Sequence, residues 1–173
     1  MKKTLSVWNI SGFLFVSALG VFLHFLYDLT GESRLAALFS GVNESVWEHI
    51  KLLYFPLLMF AIIQSFFFKN RSDFWCIKLI GAVVGIISIP AIFYTANGAF
   101  GKTPDWFNIT IFFIAAAIVF FIEWRLFTSG LPCRFSRFSI FILLLIAVTF
   151  FVFTFYPPEL PLFLDPITNS YGI

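Results

Sequence analysis

The sequence predicts an all-α fold: a polytopic membrane helical bundle. Of its 173 residues, 60% are hydrophobic and only 12% are charged, and the mean hydropathy is +0.95. A soluble domain averages about 25% charged residues, so this chain lacks the polar surface that a water-soluble globule needs. Its apolar residues fall in runs of about 20, the length that crosses a hydrocarbon core of about 30 Å. The runs do not alternate with polar residues, as β-barrel strands would.

Five apolar blocks predict five transmembrane helices in one domain that covers residues 1–173. The blocks span approximately residues 7–27, 43–68, 74–94, 106–124 and 138–156. After them, residues 157–173 form a tail whose prolines exclude a helix. The tail is nevertheless too apolar to be solvated, so we expect it to fold over the outer ends of the helices.

The distribution of basic residues predicts that the N-terminus lies inside and the C-terminus outside. Lys and Arg are enriched in cytoplasmic loops, and this orientation puts eight of the eleven basic residues on the inner side. We expect a multi-pass membrane protein whose first span is retained as an anchor. No basic run interleaves with aromatic residues, so a nucleic acid is not an expected partner. The oligomeric state does not follow from the sequence.

A few polar residues fall at the inner ends of the predicted spans. Cys76 and Cys133 are expected there as packing cysteines, because a reducing compartment disfavours a disulfide. Lys78 and Glu123 are expected to extend their side chains to water. In the same predicted span as Lys78, Gly81 and Gly85 form a small-xxx-small pair that favours close helix packing.

Most of the chemistry-bearing residues lie between His24 and Lys51. Both histidines of the chain and four of its nine acids are in this segment. His24 and Asp28 share a face at the outer end of the first helix because they are four residues apart. Glu44 and Glu48 are expected to share a face of the second helix in the same way, with His49 beside them. Ionisable groups at this depth need a partner, an ion or a water-filled cavity, so we expect one polar pocket between the two helices.

Imidazole and carboxylate groups together are typical ligands of zinc and related divalent ions. His24, Glu48 and His49 are the predicted metal ligands, and a bis-histidine haem is a less favoured option. Glu44 or Asp28 would activate water, and Asp165 of the tail would close the pocket. Further residues expected at the pocket are Tyr27, Glu32, Arg34, Asn43, Trp47 and Lys51.

Two functions from different classes are compatible with this segment. The first is a metal-dependent hydrolase or transferase that acts on a lipid or lipid-linked substrate. The second is a non-catalytic transporter or channel subunit, or a scaffold, whose polar cluster binds cations or relays protons. A purely structural interpretation also remains, in which Asn43 or Ser40 caps the second helix, Glu44 complements its positive end, and Glu48 pairs with Lys51.

The same segment carries a resemblance to a known family. The string Asn43-Glu44-Ser45-x-Trp47-Glu48-His49-x-Lys51-Leu52, preceded by His24-x-x-Tyr27, resembles an uncharacterised family of small bacterial polytopic membrane proteins. The proline-rich tail and its final Tyr171-Gly172-Ile173 extend the similarity over essentially the whole chain. The resemblance implies a bacterial multi-span protein and no particular reaction.

Overall fold

The computed structural model describes residues 2–130 and 135–173, and within these ranges the protein is helical apart from its connections and tail. Five of its helices are long and apolar enough to cross a membrane, which confirms the predicted class. A sixth, short helix lies in the connection between the first two spans and was not predicted. The helices are α1 Lys2–Leu29, α2 Arg34–Ala37, α3 Val46–Ser65, α4 Phe74–Phe100, α5 Asp105–Ser129 and α6 Ser136–Phe155.

The spans run up and down through the bundle. At one end, here called the upper end, α1, α4 and α6 finish and α3 and α5 begin; the other is the lower end. Two helix boundaries differ from the sequence prediction in a way that affects the upper end. Helix α3 begins at Val46 rather than at residue 43, and α4 continues to Phe100 rather than ending at residue 94. The backbone of Gly101 then leaves the helix with φ +80°, a conformation that glycine adopts at little cost.

Helix α3 is the centre of the bundle. It contacts α1, α4, α5 and α6, and 67% of its span is buried, whereas no other described span is more than 39% buried. The other spans expose large apolar side chains on their outer faces, such as Ile10 of α1 and Phe141 of α6. These faces suit contact with lipid, and the polar side chains of α3 are consequently enclosed by the other helices.

Glycines allow the spans to approach closely, as predicted for Gly81 and Gly85. A Cβ atom at Gly81 would lie 2.6 Å from a carboxylate oxygen of Glu123, and one at Gly85 would lie 2.9 Å from a methyl carbon of Leu53. These distances are well below van der Waals contact. The pair therefore lets α4 pack tightly against α5 on one side and α3 on the other.

Two expectations for the lower half of the bundle were wrong. Lys78 and Glu123 do not reach water; they form an ion pair in which Lys78 is 5% exposed and Glu123 is 2% exposed. Their helices α4 and α5 pack against each other, so each group finds the other before it finds solvent. Cys76 is disulfide-bonded rather than a simple packing residue, and Cys133 lies outside the described residues. The expectation for Cys76 rested on the reducing compartment, because the sequence does not show which side chains lie close together.

Candidate functional site

The start of α3 sets the position of Glu44. Ser45 is the N-cap residue, and its hydroxyl accepts a hydrogen bond of 3.4 Å from the backbone N–H of Glu48. The side chain of Asn43 accepts a hydrogen bond of 3.0 Å from the N–H of Ser45 and so forms the turn before the helix. Ser40 and Asn43 are therefore not the N-cap. Glu44 lies ahead of the helix, not on the helical face that carries Glu48.

Glu44 stands between the two histidines. One of its carboxylate oxygens is 3.5 Å from Nε2 of His24, and the other is 3.6 Å from Nε2 of His49. The two imidazole rings are 5.7 Å apart between centroids. The three side chains remain partly accessible, with 30%, 41% and 22% exposed for His24, Glu44 and His49. The histidines of two neighbouring spans thus converge on one carboxylate.

The backbone orients the ring of His49. Its Nδ1 atom is 2.9 Å from the carbonyl oxygen of Ser45, one turn earlier in the chain. A carbonyl oxygen only accepts hydrogen bonds, so this contact favours the tautomer with the proton on Nδ1. Nε2, which faces Glu44, then carries a free lone pair and can accept a proton or bind a cation.

Glu48 and Lys51 form a separate buried ion pair. The Lys51 ammonium, which is fully buried, lies 2.5 Å from a Glu48 oxygen. It also donates hydrogen bonds of 2.9 Å to the Ala37 carbonyl of α2 and to the Thr154 hydroxyl of α6. The same Glu48 oxygen accepts a bond of 3.2 Å from the N–H of Val42. These contacts link three helices, and neither side chain lines the pocket that contains the histidines.

The C-terminal tail folds against the upper end. The N–H of Trp47 donates to the carbonyl of Leu162 at 3.0 Å, and the side chain of Asn43 donates to the carbonyl of Gly172 at 3.0 Å. The indole of Trp47 packs against the ring of Phe163 at 4.6 Å between centroids. Asp165 accepts hydrogen bonds from Ile167 N–H and Thr168 Oγ1 within the tail, so its carboxylate is used to form a turn.

A cavity of about 640 Å³ lies between the upper ends of the helices and the tail. The histidines and Glu44 line one side of it. The remaining polar lining comes from the connection of α4 to α5 and from the tail, and the lower part is apolar. The other lining residues are Val46, Ile89, Phe93, Asn97, Lys102, Thr103, Asn108, Ile109, Ile111, Phe112, Leu164, Pro166, Ile167 and Asn169.

The polar side chains opposite the histidines were missed by the sequence prediction. Asn97 accepts hydrogen bonds from the N–H and hydroxyl of Thr103, and the Thr103 hydroxyl lies 2.8 Å from Oδ1 of Asn108. These bonds order the connection between α4 and α5. In the sequence, these side chains appear only as a cluster of polar residues between two apolar blocks. A pattern of this kind does not show that the connection faces a pair of histidines.

The remaining predicted pocket residues do not line the cavity. Asp28, Glu32 and Arg34 are exposed, and Tyr27 is buried. His24 forms its ion-pair contact with Glu44 and not with Asp28. Tyr27 and Asp28 belong to the last turns of α1, whereas Glu32 and Arg34 lie in the connection that contains α2. Asn43 and Trp47 hold the tail.

The atoms of Glu44 and the two imidazoles are spaced as the ligand atoms of a metal site are. In a tetrahedral site with bonds of about 2.0–2.2 Å, ligand atoms are about 3.3–3.6 Å apart. The nitrogen-to-oxygen separations of 3.5 and 3.6 Å lie within this range. However, no group of three or more His, Cys, Asp or Glu side chains in residues 2–130 and 135–173 is arranged to hold a metal ion as it stands. The ligand types fit those of a zinc site.

One comparison with known proteins gives a match. The family described as "Family of unknown function (DUF6512)" matches residues 1–173. No match was found among curated proteins or among solved structures.

Proposed function

The chain belongs to this family of unknown function, and we propose from the geometry of its site that it is a membrane-embedded, metal-dependent hydrolase or transferase that acts on a lipid-type substrate. The observation that carries the proposal is the convergence of His24 and His49 on Glu44 inside a cavity of about 640 Å³. Cavities of this size hold small molecules or the polar part of a larger one.

The proposed ligand set is His24, His49 and Glu44. Glu44 takes the place that the sequence prediction gave to Glu48, because the Glu48 carboxylate is buried against Lys51. A divalent ion such as zinc, held by two imidazoles and one carboxylate, supplies a Lewis acid and lowers the pKa of bound water.

The chain's own groups handle the proton. In hydrolysis, a water oxygen forms a bond to the electrophilic atom of the substrate ester, and the bond to the leaving alcohol breaks. One proton of the water would pass to the Glu44 carboxylate and from there to the leaving oxygen, so the overall reaction adds one water. We assign this role to Glu44 rather than Asp28, which is exposed outside the cavity, or Asp165, which is engaged in the tail turn.

Metal content is the first test of this proposal. Purified wild-type protein supplemented with zinc or manganese is expected to retain about one ion per chain, and His24→Ala/His49→Ala is expected to retain almost none. Glu44→Gln should weaken binding at least about tenfold, the lower limit observed even for groups that only support a ligand. Elemental analysis of detergent-purified protein after removal of free metal measures all three.

Asp28→Asn is the matched control, since it removes a neighbouring carboxylate that lies outside the cavity. It should leave the metal content unchanged. A wild-type protein that holds no metal after supplementation contradicts the hydrolase proposal. That result would favour the second function, a non-catalytic protein that binds cations or relays protons. The observation in favour of that function is the buried Lys78–Glu123 pair, which puts ionisable groups in the lower half of the bundle as well.

We further propose that the upper end faces away from the cytoplasm, with the N-terminus inside, in the bacterial cytoplasmic membrane. The basis is the excess of Lys and Arg on the opposite side. In intact cells, a membrane-impermeant thiol reagent is expected to label Lys102→Cys and not Lys69→Cys; both positions are exposed. The wild-type chain provides the background from its own cysteines, and labelling of Lys69→Cys alone would reverse the orientation.

A further inference from the structure

The cavity has a second polar wall that the proposed metal chemistry does not use. Lys102 lies in the connection between α4 and α5, Asn108 begins the upper part of α5, and Asn169 belongs to the tail; all three line the cavity. The Lys102 ammonium has no hydrogen-bond or ion-pair partner among the described residues, and the amide nitrogens of Asn108 and Asn169 have no acceptor there. The wall therefore presents one positive charge and free N–H groups to the cavity.

The lower part of the same cavity is apolar and extends into the bundle. Asn97, Phe93 and Ile89 are spaced four residues apart, so they follow one face of α4 downward from the upper end. Asn97 and Ile89 are separated by eight positions, which corresponds to about 12 Å of helix. On α5, Phe112 lies one turn below Asn108. Hydrogen-bond donors are thus found at the level of the helix ends, and apolar side chains are found at the depth of the spans.

From this arrangement we infer that the cavity binds an amphiphile with a phosphate-bearing head group, with Lys102 as the residue that recognises the phosphate. A phosphate has several acceptor oxygens and pairs with an ammonium and with amide N–H groups through charge-assisted hydrogen bonds. The apolar lower part accommodates the first segment of a hydrocarbon chain. The inference rests on the proposed function, because it names the substrate class of the same site.

The electrostatics of the cavity specify where the phosphate lies. Glu44 is partly exposed at the histidine wall, and its carboxylate repels an anion unless a cation or a proton neutralises it. Lys102 comes from a different element, the connection between α4 and α5. Without metal, a phosphate is therefore expected against the Lys102 wall, and a metal ion at the histidines would add a second attractive contact.

Binding to chelator-treated, metal-free protein tests this inference independently of the metal chemistry. The probes are dioctanoyl phosphatidic acid, dioctanoylglycerol with the same chains and no phosphate, and inorganic phosphate alone; native mass spectrometry or equilibrium competition measures the affinities. Wild-type protein is expected to bind the phosphatidic acid about tenfold more tightly than dioctanoylglycerol, the effect expected of one charge-assisted contact. Lys102→Gln should remove this difference, and Lys69→Gln, an exposed lysine at the lower end, should retain it.

The arms of the experiment separate the possible outcomes. If inorganic phosphate binds as tightly as the lipid and depends on Lys102, the inference of an amphiphile is overturned and the ligand of Lys102 is a free phosphate. If the two lipids bind equally well, or if Lys102→Gln retains the preference, the inference is overturned. A wild-type protein that binds phosphatidic acid but no metal would support this site while contradicting the hydrolase, so the two failures are distinguishable.

Discussion

Replacement of Lys51 by methionine is expected to lower the free energy of unfolding by about 3–5 kcal/mol, the usual cost of removing one partner of a buried ion pair. Methionine keeps much of the side-chain volume but leaves the Glu48 carboxylate, which is only 2% exposed, with a single donor from the N–H of Val42. The Ala37 carbonyl and the Thr154 hydroxyl also lose their Lys51 donor. Reversible unfolding of the detergent-solubilised protein in sodium dodecyl sulfate measures the change.

A charge-neutral double variant separates the stranded charge from the lost volume. Glu48→Gln/Lys51→Met should recover part of the loss, because no unpaired charge remains, although α2 and α6 still lack the lysine that connects them. Lys69→Met at the exposed lower surface should change stability by less than about 0.5 kcal/mol. If Lys51→Met costs no more than this control, the pair does not stabilise the upper end.

The second large effect is expected at the lower ion pair. Lys78→Met is expected to destabilise the protein by about 3–5 kcal/mol, since it leaves the Glu123 carboxylate buried without its cation. The lysine ammonium also lies 5.6–5.9 Å from the ring centroids of four phenylalanines, and this contact with the ring faces is lost as well. The same unfolding measurement applies.

The double variant Lys78→Met/Glu123→Met gives the opposite expectation. Replacing both members of a buried pair with apolar groups is often neutral or stabilising, so it should regain most of the stability lost in Lys78→Met. A double-mutant cycle gives the coupling between the two residues directly. If the loss in the double variant equals the sum of the losses in Lys78→Met and Glu123→Met, the two residues are not energetically coupled in the folded protein.

The sequence pointed to both imidazoles of the candidate site, but it placed Glu48 beside them, whereas the carboxylate beside them in the structure is that of Glu44. It assumed a helix from residue 43, which placed Glu44 and Glu48 on one face. The structure begins α3 at Val46, after the Ser45 cap, so Glu44 lies in the preceding turn and reaches His24 and His49. A boundary that moves by three residues removes Glu44 from the helix and so frees it from the face that carries Glu48. Helix boundaries are the least certain part of a sequence prediction.

The all-helical fold class and the number of spans were determined by the sequence alone, because the lengths of the apolar runs match the thickness of the membrane core. The few charged residues must then lie near the ends of the spans or find partners. Which partners they find was decided by the tertiary structure. The exception is the Glu48–Lys51 pair, which forms between residues three apart in α3 and which the structural interpretation of the sequence had included. Lys78 meets Glu123, and Glu44 meets the two histidines, because helix packing brings these groups together. The contribution of Lys102 to the cavity likewise depends on how the connection of α4 to α5 folds, since contacts between distant segments leave no periodic signal in the chain.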